Sequence, residues 1–247
     1  MNTARFRLRK LINVVAAIAA LAALVSGACG PVAASRPNAE VAVVAARIHK
    51  LFGVVLADRA GRWARDEAET VFRVLNQLAA WIEGNFGQSG EPLVKALMDG
   101  VVFYRDGDNP DNIAYTVAGT VSFYNLWASY GEARRAFYLY HEIGHLLDAH
   151  GSPQNLIMGQ ISGQFSAQLG AYTDSTGQYH LGDRFPQPDR PDQPIRHRTD
   201  NASEDWAETF ASVLMPEFES DQRNIGDARA YEARHQFVGW LASQPHN

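Results

Sequence analysis

The amino-acid sequence predicts an α+β fold in a single domain. Apolar residues recur with helical spacing in several long stretches, whereas short runs of Thr, Val and aromatic residues between them favour strands. The 219 residues that follow the N-terminal leader described below are enough for one domain with its own core. The helices are predicted near residues 39–58, 63–83, 92–98 and 132–150, from 201 to near Pro216, and at 227–243, and the strands near 101–104 and 113–124.

Residues 1–28 have the features of an export signal. A basic region without acidic residues is followed by the apolar run Leu11–Val25, which is too short for a comfortable membrane span. Small residues then precede Cys29, the only cysteine of the chain, and this arrangement resembles a bacterial lipoprotein signal. The resemblance implies a lipid on Cys29 that attaches an envelope protein to the membrane. One departure is Ser26, where leucine is usual, and the alternative is ordinary cleavage near Ala34 and secretion.

The chain after the leader is acidic. Removal of residues 1–28 leaves 18 basic and 27 acidic residues, a formal net charge of −9. This charge argues against nucleic acid as a partner, and no basic cluster with interleaved aromatic residues occurs. A single cysteine allows no internal disulfide. We predict a tether over residues 29–38 and one domain over residues 39–247.

Two amphipathic helices with a structural role are predicted at the start of the domain. Glycines at 84 and 87 close the second of them. Their apolar faces comprise Val41, Val44, Ile48, Leu51 and Val55 in the first helix and Val71, Val74, Leu75, Leu78 and Ile82 in the second.

A turn and a strand region follow. The acids of Asp106–Asp111 lack the spacing of a twelve-residue calcium loop, so a plain turn is favoured and calcium is the alternative. Ile113–Tyr124 is predicted to form one or two strands broken at Gly119. Such a strand is either a sheet edge that pairs with a peptide or an internal strand without contact to a substrate.

The next helix contains the pattern His-Glu-x-x-His. His141 and His145 lie four residues apart, so both imidazoles point from one face and make half of a tetrahedral zinc site. Glu142 is placed to take a proton from a water at the metal. Gly144, which costs about 1 kcal/mol relative to alanine in a helix, predicts a close approach by another backbone. The alternative is a chance pair, because the pattern arises by accident in roughly one chain in a hundred of this size.

A second helix offers the third ligand. The position six residues after His145 is Gly151, so a third histidine at the usual spacing is missing. Glu204 and Glu208 share one helical face, which is repulsive unless a positive group lies between or above them. Glu204 would coordinate the metal and Glu208 would orient a ligand histidine; the alternative is a solvated acidic face. The candidate N-caps of this helix are Asp200, Asn201 and Ser203.

Together, the two motifs resemble those of the gluzincin metallopeptidases, in particular the group formed by the catalytic domain of anthrax lethal factor and its bacterial relatives. The resemblance covers about a tenth of the chain. It implies a zincin-like domain with a small mixed sheet, an active-site helix and a second ligand-bearing helix. It also implies zinc on His141, His145 and Glu204, with Glu142 as general base and Glu208 behind a histidine, and hydrolysis of peptide bonds in a peptide or protein substrate.

The residue that would stabilise the substrate oxyanion is open. The group places a tyrosine seven residues before the third ligand, and this chain has His197 there; a protonated histidine could replace it. The alternatives are Tyr172, Tyr179 and His180, all within the long stretch 151–199 that is expected to form a specificity wall or a lid.

Asp148 follows the second histidine closely. It would anchor the helix or an imidazole N–H, and a structural salt bridge is the alternative. Two rival functions also remain, a non-catalytic envelope binding lipoprotein with structural zinc and a helical envelope protein without metal. The general-base position of Glu142 argues against the first, because a structural zinc site needs no base.

Overall fold

The computed structural model describes residues 39–87, 89–149, 160–180, 201–215, 233–237 and 239. The described residues from Glu40 onward belong to one compact unit, and most of them are helical. The predictions for residues 1–38, including Cys29, and for His197 lie outside the described residues. In chain order the elements are α1 (Ala39–Phe52), β1 (Val55–Asp58), α2 (Arg65–Phe86), α3 (Gly90–Met98), β2 (Val102–Arg105), β3 (Ala114–Val117), β4 (Thr120–Phe123), α4 (Asn125–Ala128), α5 (Glu132–Ala149), α6 (Gln160–Leu169), β5 (Tyr172–Thr173), β6 (Tyr179–His180) and α7 (Ala202–Leu214).

A small mixed sheet accompanies these helices, so the fold is α+β. Its strand order is β1-β2-β4-β3; β1, β2 and β4 are parallel, and β3 is antiparallel to β4. The turn between β3 and β4 contains Ala118 and Gly119, both with positive φ (46° and 77°). The stretch 113–124 therefore contains both alternatives from the sequence, because β3 lies at one edge of the sheet and β4 is internal, between β2 and β3.

One sequence prediction about an element was wrong. The helix predicted over residues 39–58 ends at Phe52, where Gly53 takes a left-handed φ of 72°. The β-branched residues that follow instead pair with β2 in parallel, because sheet pairing outweighs helical periodicity in a short apolar run. The stretch 151–199 also contains structure that its periodicity did not reveal, namely α6 and the two-stranded β5–β6 sheet.

A buried aromatic cluster joins the sheet to the helix that carries the histidines. Phe123 of β4 packs against Trp127 with ring centroids 4.6 Å apart, and Trp63 contacts both rings edge to face. Trp127 Nε1 donates to the backbone oxygen of Arg135 at 3.1 Å, near the start of α5. One further bond, from Tyr140 Oη to a backbone oxygen of α2, holds the middle of α5.

An almost fully buried ion pair connects β2 with α2. Arg105 Nε donates to Glu67 Oε2 at 3.2 Å, and the same oxygen accepts the backbone N–H of Ala64. Arg105 Nη2 donates to Asn125 Oδ1 at 2.8 Å, and the Asn125 amide donates to Asp108 at 2.6 Å. Asp108 thus has a protein partner, which favours a plain turn over a calcium loop.

Helices α5 and α7 pack backbone against backbone. A Cβ added at Gly144 would lie 2.9 Å from the Cα of Ala207, so the predicted close approach is confirmed. Trp206 Nε1 donates to the Gly144 oxygen at 3.0 Å and fixes the crossing point. No helix in the described part of the chain is long and apolar enough to cross a membrane.

Candidate metal centre

Helix α5 brings the two histidines of the motif together. The Nε2 atoms of His141 and His145 lie 3.1 Å apart, with the rings nearly perpendicular. The side chains are 14% and 15% exposed, so both histidines are largely buried. The one-turn spacing produces this convergence, as expected for residues four apart on one helix.

Helix α7 adds Glu204 from the other side. Its carboxylate lies 3.3 Å from His141 Nε2 through one oxygen and 3.4 Å from His145 Nε2 through the other. The first turn of α7 is held by Asn201, whose side chain accepts the backbone N–H groups of Ser203 and Glu204. Of the three N-cap candidates, Asn201 is therefore the one used.

These three residues form a group that could hold a metal ion. The two imidazole Nε2 atoms are 3.1 Å apart, and each lies 3.3–3.4 Å from a different oxygen of the Glu204 carboxylate. One donor atom from each of the three residues lies within 4.8 Å of the other two. The Glu204 side chain is 40% exposed, so the group is open to water on one side. These three side chains would supply the protein ligands of a metal ion, and the open side would leave a further coordination position free for water.

The electrostatics of the site favour a positive charge between these groups. Burial alone would lower the pKa of His141, but the carboxylates of Glu204, Glu208 and Glu142 outweigh it and raise this pKa to about 10. Burial would likewise raise the pKa of Glu204, yet its hydrogen bonds with the two imidazoles lower it below its usual range. Without a metal, a proton on His141 therefore takes the place of the cation.

Glu208 lies behind the first histidine. Its Oε2 is 3.5 Å from His141 Nδ1, and both side chains are largely buried. Within the described part of the chain this ring nitrogen makes no well-aligned hydrogen bond. With a metal at Nε2 in place of a proton, the nearby negative charge would hold the remaining proton on Nδ1.

Glu142 is buried beside this group and has a partner that the sequence analysis missed. The hydroxyl of Thr116, on the edge strand β3, donates to Glu142 Oε2 at 2.5 Å. Glu142 is 5% exposed. No motif or spacing connects a strand residue with a glutamate 26 positions later, so only the packing of β3 against α5 could reveal this contact.

Asp148 acts on the second histidine indirectly, through Ser203. The Ser203 hydroxyl lies 3.1 Å from His145 Nδ1 and donates to Asp148 Oδ2 at 3.2 Å. The other oxygen of Asp148 accepts the backbone N–H of Ser162 in α6 at 2.8 Å. The sequence analysis considered Ser203 only as an N-cap; its place directly before the third ligand was the available signal.

The candidates for the oxyanion residue are not brought to the metal group by any described contact. Tyr172 lies on β5 with 58% of its surface exposed. Tyr179 and His180 lie on β6, and their side chains, like all of His197, are outside the described residues. The choice among these four residues stays as open as the sequence left it.

No protein-family model, curated protein or solved structure matches this chain. The case for a function therefore rests on the geometry and chemistry of the metal group itself.

Proposed function

We propose that this protein is an exported zinc metallopeptidase of the gluzincin type, built on a zincin-like domain. One observation carries the proposal: three metal-binding donors from α5 and α7 converge directly beside a buried glutamate that follows the first histidine. A purely structural site has no use for such a carboxylate, whereas hydrolysis needs a general base there.

The distances within the group support zinc as the metal. Donor atoms bound to one tetrahedral zinc ion at about 2.0–2.1 Å lie about 3.3–3.4 Å apart. The two imidazole nitrogens are 3.1 Å apart, and each lies 3.3–3.4 Å from a different oxygen of the Glu204 carboxylate, so the group is close to this spacing. Two imidazoles also disfavour calcium and magnesium, which prefer oxygen ligands. His141, His145 and Glu204 would hold the ion.

When bound, zinc supplies Lewis acidity that makes water acidic near neutral pH and polarises the scissile carbonyl. Glu142 then takes the proton from the attacking water and passes it to the leaving amine. The Thr116 hydroxyl donates to Oε2 of this carboxylate and would orient it. Glu208 would keep the His141 ring oriented.

The edge strand β3 supports a peptide as the substrate. One side of β3 pairs with β4, and the other edge offers backbone donors and acceptors to an extended chain. Tyr115 and Val117 point outward from this strand, 49% and 38% exposed, on either side of Thr116. A peptide added to this edge would lie next to the base that Thr116 contacts.

The leader supports a proposal about location, and the charge of the chain supports one about partners. We propose an envelope lipoprotein attached through Cys29, with secretion as the alternative, and an acidic domain that does not bind nucleic acid.

Elemental analysis of zinc per chain tests the metal. We expect about one zinc in the parent and a clear loss in Glu204→Ala. The matched control is Glu69→Ala, an exposed acidic residue on α2, which keeps the zinc. If Glu204→Ala retains zinc, the third ligand would instead be Glu208 or Asp205. A parent without zinc, after metal has been supplied during refolding, would contradict the enzyme and leave a helical envelope protein.

Substitution of the base tests the chemistry. Glu142→Gln is expected to retain zinc and to lose hydrolysis of labelled casein, because an amide cannot take the proton. A parent that binds zinc but cleaves no peptide bond, and is unchanged by this substitution, would instead be the non-catalytic binding lipoprotein.

A further inference from the structure

We propose that Ser203 is a positioning residue that connects the Asp148 carboxylate to the metal-facing histidine His145 and sets which ring nitrogen of His145 can bind metal. This inference rests on the proposed metal centre but not on peptidase activity. It concerns a hydrogen-bonded chain of four groups: His145 Nδ1, Ser203 Oγ, the Asp148 carboxylate and the Ser162 amide. We call this chain the Ser203 relay.

The direction of each hydrogen bond in the relay follows from the chemistry of its members. A carboxylate only accepts, and a serine hydroxyl has a single hydrogen, so Ser203 donates to Asp148 Oδ2. The oxygen of Ser203 is then an acceptor toward His145, whose Nδ1 must carry the proton. In a neutral imidazole this leaves the lone pair on Nε2, the atom that lies 3.4 Å from the Glu204 carboxylate.

Burial makes the relay sensitive to the loss of the Ser203 hydroxyl. Asp148 is 2% exposed, Ser203 is 6% exposed and Ser162 is fully buried. Loss of the Ser203 hydroxyl would leave both the Nδ1–H group and one carboxylate oxygen without this partner, where water enters poorly. The His145 ring would then be free to take the other tautomer, which places a hydrogen on the atom that should bind the metal.

The relay also joins three helices at one point. His145 and Asp148 lie on α5, Ser203 lies on α7, and Ser162 lies in the first turn of α6. The Asp148 carboxylate thereby satisfies a backbone N–H at the start of α6. Because α6 occupies one oxygen of Asp148, the other oxygen is the one that accepts from Ser203.

The same residues do not form a nucleophilic triad. In such a triad the carboxylate contacts the histidine and the histidine contacts the serine. Here the carboxylate contacts the serine, which is almost fully buried. Ser203 therefore acts through His145 and has no direct role in chemistry.

The test measures zinc affinity by competition with a chromogenic chelator, on protein purified from cells that express the full chain. Ser203→Ala is expected to bind zinc about 10–100-fold more weakly than the parent. Ser212→Ala is the matched control, because Ser212 is a buried serine further along the same helix. It should stay within about threefold of the parent. Melting of the chelator-treated proteins shows whether each variant is folded.

A second variant, Asp148→Asn, reverses the direction of the hydrogen bonds in the relay with little change in the shape of the side chain. In Asp148→Asn the side-chain oxygen must still accept the Ser162 amide, so the NH₂ group faces Ser203. Ser203 then donates to Nδ1, and the proton of His145 moves to Nε2. The zinc affinity of Asp148→Asn should fall about tenfold or more. The double variant that combines Ser203→Ala with Asp148→Asn should bind zinc no more than about threefold more weakly than Ser203→Ala alone.

Three results would overturn the relay. The first is a folded Ser203→Ala variant with parental zinc affinity, and the second is a double variant whose losses simply multiply. The third is a parent that binds no zinc, which removes the metal centre and the relay together. That third result is distinct from the first two, in which zinc binds to the parent and only the role of Ser203 fails.

Discussion

Substitution of Gly144 by alanine tests the packing that brings the third ligand to the histidines. The new Cβ would lie 2.9 Å from Ala207 Cα and 3.3 Å from Ala207 Cβ. Ordinary carbon contacts measure about 3.5–4.0 Å, so α5 and α7 must separate by roughly 0.6–1 Å. Overpacking of this kind costs about 1–3 kcal/mol, and the better helix propensity of alanine offsets about 1 kcal/mol of it.

The assay is urea unfolding of the chelator-treated protein, which removes any contribution of bound metal to stability. Gly84→Ala is the control, because Gly84 lies in α2 with no atom within 4 Å of its added Cβ. That variant should gain up to about 1 kcal/mol in the free energy of unfolding. Gly144→Ala should lose up to about 2 kcal/mol, and the difference between the two variants isolates the cost of overpacking.

Zinc affinity is the second readout for Gly144→Ala. Glu204 moves with α7, so its carboxylate should leave the 3.3–3.4 Å positions beside the two imidazoles and zinc should bind more weakly. Equal stability gains in both glycine variants, with unchanged zinc affinity, would refute the close helix contact as the reason for a glycine at position 144.

Four further predictions concern Glu142, the pH dependence of zinc affinity, the pH dependence of stability, and the core. Thr116→Val should lower the rate of casein hydrolysis about tenfold at equal zinc loading, because it removes the hydroxyl that orients Glu142. Thr116→Ser, which keeps a hydroxyl, should keep the parental rate. Equal rates in the two variants would exclude this role of Thr116. Without metal, the pKa of His141 is raised from 6.5 to about 10, so zinc must displace a proton from this side chain. Competition titrations should therefore show a zinc affinity that rises up to tenfold per pH unit between pH 6.5 and 9. By the same linkage, protonated His141 stabilises the metal-free fold fully below pH 6.5, so its melting temperature should fall as the pH rises toward 10, and a flat profile would contradict the shift. Glu67→Ala should cost about 3–5 kcal/mol in urea unfolding, because it leaves Arg105 buried without its counter-charge; a loss below about 1 kcal/mol would contradict this.

The two histidines show which parts of the site the sequence could predict. His141 and His145 share one helix, and helix geometry alone brings residues four apart to one face. The glycine between them signalled a close neighbour, and Ala207 is that neighbour. For Glu204 the sequence indicated the helix and the face, yet the meeting of two helices about sixty residues apart depends on how they pack.

The misplaced first helix shows the limit of local patterns. Val55 continues the apolar spacing of α1, but its backbone pairs with β2, which lies nearly fifty residues later. Periodicity is a property of neighbours in sequence, whereas a strand in a parallel sheet is stabilised by partners that are distant in sequence.

The sequence by itself determined the coarse α+β class, the spacing of the two histidines and Glu142, and the acidic helix that carries Glu204. These features depend on residues within a turn or two of each other. Tertiary structure alone decided that Thr116 holds Glu142 and that Ser203 stands between Asp148 and His145. Hydroxyl groups have no characteristic spacing, and their partners are chosen by the packing of β3 and α7 against α5.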